Sequence, residues 1–417
     1  MLHNYIKILG KKNFFLLWFS QIISQFGDKL TQVALIGLVS QISQSSASLA
    51  VTISMTIVPV LIFSPISGVY VDRWSKRKTM YICDLLRGLL ILCIIYLLNF
   101  KSLPFIYVII FLSFSVGRFF IPAKMAFIPK LVLRKDIFLA NSLISVTATI
   151  AAVIGIGLGG IIVDKYGIST TFIIDSFTFF ISALAISLIT LKEKGEFLPK
   201  DIFEIGKDAA SVVKKSFVRE LKEGIQYIYR SDETKYAFTI FLFLFSCVGG
   251  LFPVFTKFIQ TTLGSVTKDL GFVGVSLGLG IFMGSLIYGK IADKFPVKTA
   301  INFSIMFGAL YNIVFTVSLK HHPSSLLAII LAFVMGIIIS PIFVGVNALI
   351  HRESKDELLG RIFGGLEFVS HFGFLISMFI FAYLADIFSP FTIMVSIGII
   401  SFLFSIIFIS YDSRRRT

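Results

Sequence analysis

The chain has 417 residues, 56% of them hydrophobic and 15% charged, with a mean hydropathy of +0.91, whereas a soluble domain is about 25% charged. That composition excludes a soluble globular enzyme. A membrane span takes roughly 20 apolar residues, so the length suits twelve spans plus loops and leaves no room for a separate catalytic or nucleotide-binding domain. The formal net charge of +15 would suggest nucleic acid or acidic partners in a soluble protein, and its distribution along the chain decides otherwise below.

The first apolar run, Phe14 to Val39, follows Lys7, Lys11 and Lys12 as a signal peptide would, but it is too long, carries Asp28 and lacks a small-residue cleavage site. It reads as a retained first span. Gln21, Gln25, Asp28 and Gln32 are spaced four, three and four, which puts them on one helical stripe. An ionisable group near the midplane is a functional candidate by default, because burying it in hydrocarbon costs about 2.5–3.5 kcal/mol on insertion scales. Lys29 sits beside the stripe.

The second span, Leu49 to Val71, runs into the loop Gly68-Val-Tyr-Val-Asp72-Arg73-Trp-Ser-Lys76-Arg77-Lys78, and the third, Met80 to Asn99, carries Asp84 and Arg87 three residues apart. Pro104 to Ile121 is the fourth span, with Arg118 near its end. Asn141 to Val163 is the fifth and contains Gly155, Gly157, Gly159 and Gly160. The sixth, Thr170 to Leu191, holds Asp175, which reads as a helix-interface residue. Residues 192–235 mix ten basic and nine acidic side chains. There Phe217, Leu221, Ile225 and Ile228 recur every three or four positions, as in an amphipathic helix lying on the membrane. The second six spans are Ala237 to Thr261, Leu270 to Ala292, Val297 to Leu319, Ser325 to Ala348, Ile362 to Ala385 and Pro390 to Ser410. The eleventh carries Glu367 and His371 four apart on one face, an acid and an imidazole able to pass a proton.

Alternate connections hold 30 of the 38 Lys and Arg residues, so the positive-inside rule places both termini in the cytoplasm. The basic excess is mostly a topology signal and implies no nucleic-acid partner. Cys83, Cys93 and Cys247 all lie in apolar runs, and no disulfide framework follows.

The two halves repeat. Gly68 to Lys78 is echoed by Gly289-Lys-Ile-Ala-Asp293-Lys294 at an offset of 221, Pro122 by Pro341 at 219, and Arg134-Lys-Asp136 by Ser354-Lys-Asp356 at 220. The expected architecture is all-α: residues 1–191 form an N-terminal six-helix bundle, 192–235 a cytoplasmic linker and 236–417 a second six-helix bundle. Such parallel repeats enclose a midplane site.

Gly68-x-x-x-Asp72-Arg73-x-x-Lys76-Arg77-Lys78 resembles the loop signature of the major facilitator superfamily, and the Gly289 copy resembles its second-half counterpart. Ser24-Gln-Phe-Gly27-Asp28, Asp84-Leu-Leu-Arg87, Pro122-Ala-Lys-Met-Ala-Phe-Ile-Pro129 and Ala140-Asn141-Ser142 look like the bacterial branch of macrolide and siderophore exporters. The resemblance implies a multi-pass inner-membrane efflux antiporter without enzymatic activity. It also implies that Asp72, Arg73 and Arg77 latch the halves on the cytoplasmic side. Gly68, Asp84, Arg87, Arg118, Gly289 and Asp293 join them as candidate gate residues. Proton-coupled drug antiporters of the superfamily carry Gly-Pro-x-x-Gly-Gly in the fifth span; here the glycines remain and the proline does not.

Asp28, Gln21, Gln25, Gln32, Glu367 and His371 are the candidate substrate or proton site. The expected cargo is a hydrophobic or amphipathic small molecule, moved by a monomer in the bilayer with no cofactor beyond a proton gradient. Lysophospholipid flipping is one alternative. Divalent metal export, as in ferroportins, is another, with Asp28, Cys247 and His371 as ligands. Gly155-x-Gly157-x-x-Gly160 has no preceding strand, and Gly284-x-x-x-x-Gly289-Lys290 is followed by Ile291 where a phosphate loop needs Ser or Thr, so neither supports a nucleotide.

Overall fold

A computed structural model describes residues 2–43, 45–100, 102–191, 232–265, 267–353 and 356–414. The helices are α1 (Leu2–Leu9), α2 (Lys12–Ile42), α3 (Ser46–Arg73), α4 (Lys76–Leu98), α5 (Leu103–Leu131), α6 (Ile137–Tyr166) and α7 (Ile168–Ser187), followed by α8 (Asp232–Leu263), α9 (Thr267–Ile291), α10 (Val297–His321), α11 (Ser325–Glu353), α12 (Asp356–Ile387) and α13 (Pro390–Arg414). Most of the 192–235 linker, including its amphipathic stretch, lies outside the described residues.

Eleven described helices are long and apolar enough to cross a membrane. The long helix outside that set is α2, whose polar stripe lowers its hydropathy. Large apolar side chains such as Leu89, Tyr96, Phe105, Phe177 and Leu184 are more than half exposed. That surface is untenable in water and natural against acyl chains.

Local signals set the helix ends. The Ser75 hydroxyl accepts from the Lys78 amide at the start of α4, and Pro104 opens α5 where no amide donor is needed. Gly167, at φ +86°, turns the chain between α6 and α7.

The chain divides into two compact units. In the first, α2 packs chiefly on α7 and α6, and α4 on α7 and α5; in the second, α8 packs on α12, and α10 on α13 and α11. The pairs α2·α6, α4·α7 and α4·α5 thus have counterparts in α8·α12, α10·α13 and α10·α11, so the repeat read in the loops extends to helix packing. Pro122 and Pro341 lie inside the corresponding helices α5 and α11.

Residues 43–50, the turn before α3 and its first residues, group with the second unit. Asp386, at the end of α12, accepts hydrogen bonds from the Ser45 hydroxyl (2.6 Å) and the Ser46 amide (2.9 Å), and Lys257 of α8 donates to the same carboxylate at 3.0 Å. A carboxylate from a distant helix therefore caps the N-terminus of α3.

The first unit has two apolar clusters. Phe14, Leu17, Trp74, Met80, Phe127 and Ile186 pack at the lysine-rich end, and Leu35, Leu38, Ile91, Ile94, Ile110 and Phe172 at the other. Between them lies a layer of polar side chains.

Candidate functional site

That layer is built from α2, α4 and α7. Asp28 of α2 and Arg87 of α4 form a two-pronged ion pair: Nη2 donates to Oδ1 in a short contact, and Nη1 to Oδ2 at 3.4 Å. The Arg87 side chain is 10% exposed and that of Asp28 26%. The guanidinium also lies 4.3 Å from the centre of the Phe179 ring and 5.9 Å from that of Phe114, a stacking that suits a delocalised cation better than an ammonium.

Two further carboxylates are fully enclosed beside this pair. Asp84, one turn before Arg87, accepts from the Ser182 hydroxyl at 2.6 Å. Asp175 accepts from Thr31 at 2.5 Å and from Thr178 at 3.1 Å. Three acids thus share one guanidinium, with Lys124 of α5 and Lys29 of α2 as the other cations within electrostatic reach. Lys29 itself donates to Gln32 at 3.0 Å. Between apolar clusters such charges interact far more strongly than in water.

Close helix approach makes this layer possible. A Cβ on Gly27 would overlap the Thr178 hydroxyl and the Asp175 carboxylate, and one on Gly155 would lie 2.8 Å from Lys29 Cβ. The glycines are where α7 and α6 press against α2. Gly27→Ala should therefore cost about 1–3 kcal/mol by overpacking. The check is faster thiol labelling of the enclosed Cys83 on heating.

The expected stripe on α2 is present. Gln21 is buried, and Gln25 donates to it at 3.5 Å. Arg87, grouped by the sequence with the gate, instead joins Asp28. Asp84 likewise belongs to the helix interior. Asp72 and Arg73 are exposed at the end of α3, and Arg77 donates to the Ile189 carbonyl just after α7, tying α4 to its own half. Arg118 is half-buried on α5. Gly68 is half-buried and Gly289 exposed, while the Asp293 side chain lies outside the described residues.

Glu367 and His371 lie on α12 as expected, but the imidazole does not meet the carboxylate. His371 Nδ1 lies 2.8 Å from the Glu367 backbone carbonyl oxygen, the acceptor that an i+4 side chain finds on its own helix, and donates to it. The Glu367 side chain is exposed. Among the described residues no group of three His, Cys, Asp or Glu side chains could hold a metal.

Asp175, expected at a helix interface, lies at the contact of α7 with α2, enclosed and bonded to Thr31 and Thr178. Asp175, Thr178 and Ser182 recur at three and four, the same spacing as the stripe on α2.

Two units of repeated helix packing, apolar toward lipid, the first with an ion-paired layer inside, define a multi-pass membrane transporter of the major facilitator fold. The structure aligns with that of the nucleoside transporter NupG at a TM-score of 0.69 and 11% identity, covering 95% of this chain and 97% of that one. The family model for transmembrane secretion effectors matches residues 6–340, and the chain belongs to that family. The MFS-type transporter YkuC of Bacillus subtilis is 25% identical over 86% of this chain and 82% of its own length. Macrolide efflux protein A of Streptococcus pyogenes is 21% identical over 85% and 84%. The chain is therefore a bacterial efflux-type transporter of the plasma membrane and not an enzyme.

Proposed function

We propose that the chain exports a hydrophobic or amphipathic small molecule by alternating access, in exchange for protons, with the Asp28–Arg87 pair as the coupling site. The observation that carries this reading is the pairing itself. A proton on Asp28, or a cationic substrate beside it, removes the charge that holds Arg87, so each ligand competes with the same ion pair. Two conformations that differ in this contact would be biased by either one. The neighbouring acids add to the effect, because Arg87 released from Asp28 still faces Asp84 one turn away.

No cofactor is needed, since the proton gradient supplies the energy, and a monomer suffices. Both termini lie in the cytoplasm, with Asp72, Arg73 and Arg77 at the cytoplasmic gate. The efflux name of the streptococcal relative and the apolar character of the spans favour drug-like cargo over sugars or phosphates.

The test is transport of a lipophilic fluorescent cation and of a macrolide by purified protein in liposomes under an imposed pH gradient, with Asp28→Asn alongside. Gradient-driven transport that survives Asp28→Asn unchanged would overturn the coupling role. Orientation is checked separately: single cysteines placed at Lys78 and at Lys320 should label from the cytoplasmic and the outer side respectively, and the reverse pattern would invert the topology.

A further inference from the structure

The second unit contains an apolar groove of about 520 Å³ between α9, α10 and α11. Its lining runs from Tyr288 and Ile291 near the end of α9, past Phe303, Phe307 and Leu310, to Val314 on α10. Phe303 to Val314 is eleven residues, about 16 Å at the helical rise. That is close to half of a hydrocarbon core about 30 Å thick, so the groove spans one leaflet.

Three features at its α9–α10 end are unused by the transport site. Lys290 and Lys294 are exposed there, and neither has an acidic partner among the described residues. Lys298, one turn into α10, is already engaged: it pairs with Glu233 at 3.3 Å and lies over the Tyr236 ring. The Tyr288 hydroxyl, on a residue only 5% exposed, is buried with no hydrogen-bond partner. An orphaned donor in an apolar wall is costly unless something fills it.

Two exposed ammonium groups at the headgroup level, a donor just below them and an acyl-length apolar trough form a graded series that matches one molecule. We propose that the groove binds an anionic phospholipid of the leaflet at the α9–α10 turn. Its phosphate sits by Lys290 and Lys294, an ester carbonyl accepts from Tyr288, and one chain lies along Phe303, Phe307 and Leu310. Charge complementarity selects an anionic over a zwitterionic headgroup. The inference holds whatever cargo the transporter carries.

The chain has two tryptophans, Trp18 and Trp74, both in the first unit, so Leu310→Trp supplies a reporter inside the groove. In liposomes, brominated phosphatidylglycerol should quench the added emission at a mole fraction about ten-fold lower than brominated phosphatidylcholine. Lys290→Gln with Lys294→Gln should remove that preference. Equal quenching by both lipids would overturn the proposal, as would a preference that survives the double lysine substitution. Native mass spectrometry of the unsubstituted chain gives a second reading that does not depend on the tryptophan variant: a retained phosphatidylglycerol adduct is expected, and its loss in the double lysine variant. An adduct equally abundant in both would place the lipid elsewhere and defeat the assignment.

Discussion

Asp28→Asn is expected to lower pH-gradient-driven transport about a hundred-fold while leaving the chain folded. In a two-state carrier, moving the balance from 10:90 to 90:10 with one proton takes a differential of about 2.6 kcal/mol, roughly 80-fold. Asparagine keeps the shape of the side chain and an oxygen for Arg87, and Arg87 retains its stacking on Phe179 at 4.3 Å. What disappears is the carboxylate charge. The variant should therefore still exchange substrate down its own gradient but no longer respond to pH. Initial rates with and without the gradient, in the same liposomes, separate these outcomes. If the folded variant still accumulates substrate against its gradient, the proton enters elsewhere, and Asp175 and Asp84 are the next carboxylates to replace.

The second large effect concerns stability. Arg87→Ala should cost about 2–3 kcal/mol, because it leaves Asp28 without a partner between two apolar clusters. Breaking a fully buried pair typically costs about 3–5 kcal/mol, and the 26% exposure of the Asp28 side chain lets water recover part of that. The paired variant Asp28→Asn with Arg87→Gln should regain most of the loss, since two neutral amides need no countercharge, yet should remain dead in gradient-driven transport. Cys83 lies on the same helix and is enclosed, so its labelling rate during a thermal ramp reports unfolding of this unit. Equal stability of the Arg87→Ala chain and the parent would show that the pair contributes nothing net to the fold.

Most of the architecture was legible in the sequence because a bilayer leaves few choices: spans must be helical, and charge must collect in alternate loops. Even the duplication could be read from Gly68 and Gly289. The site was legible only in part. The α2 stripe followed from a spacing of three and four within one helix. Its partner did not, because Arg87 is 59 residues away and the nearer acid, Asp84, offered an i, i+3 pairing that helix geometry permits. The structure resolves that competition: Ser182 engages Asp84, and the guanidinium turns to Asp28. Asp175 read as an interface residue, and the structure sets it between α7 and α2 with the neutral partners Thr31 and Thr178. Glu367 and His371 share a face as read, but the imidazole meets the backbone carbonyl of the same turn and not the carboxylate.

The polar stripe on α2 also bears on how the protein is made. Emerging ahead of α4 and α7, this span carries Asp28 and Lys29 into the insertion machinery before those helices exist to receive them. Arg87 follows 59 residues later, and Asp175, the acceptor for Thr31, 144 residues after that threonine. Nascent chains halted before α4 should therefore fail to hold α2 in the membrane, whereas chains that include α4 and α7 should retain it. On this view the Asp28–Arg87 pair is also an assembly checkpoint: α2 settles in the bilayer only once its countercharge has arrived.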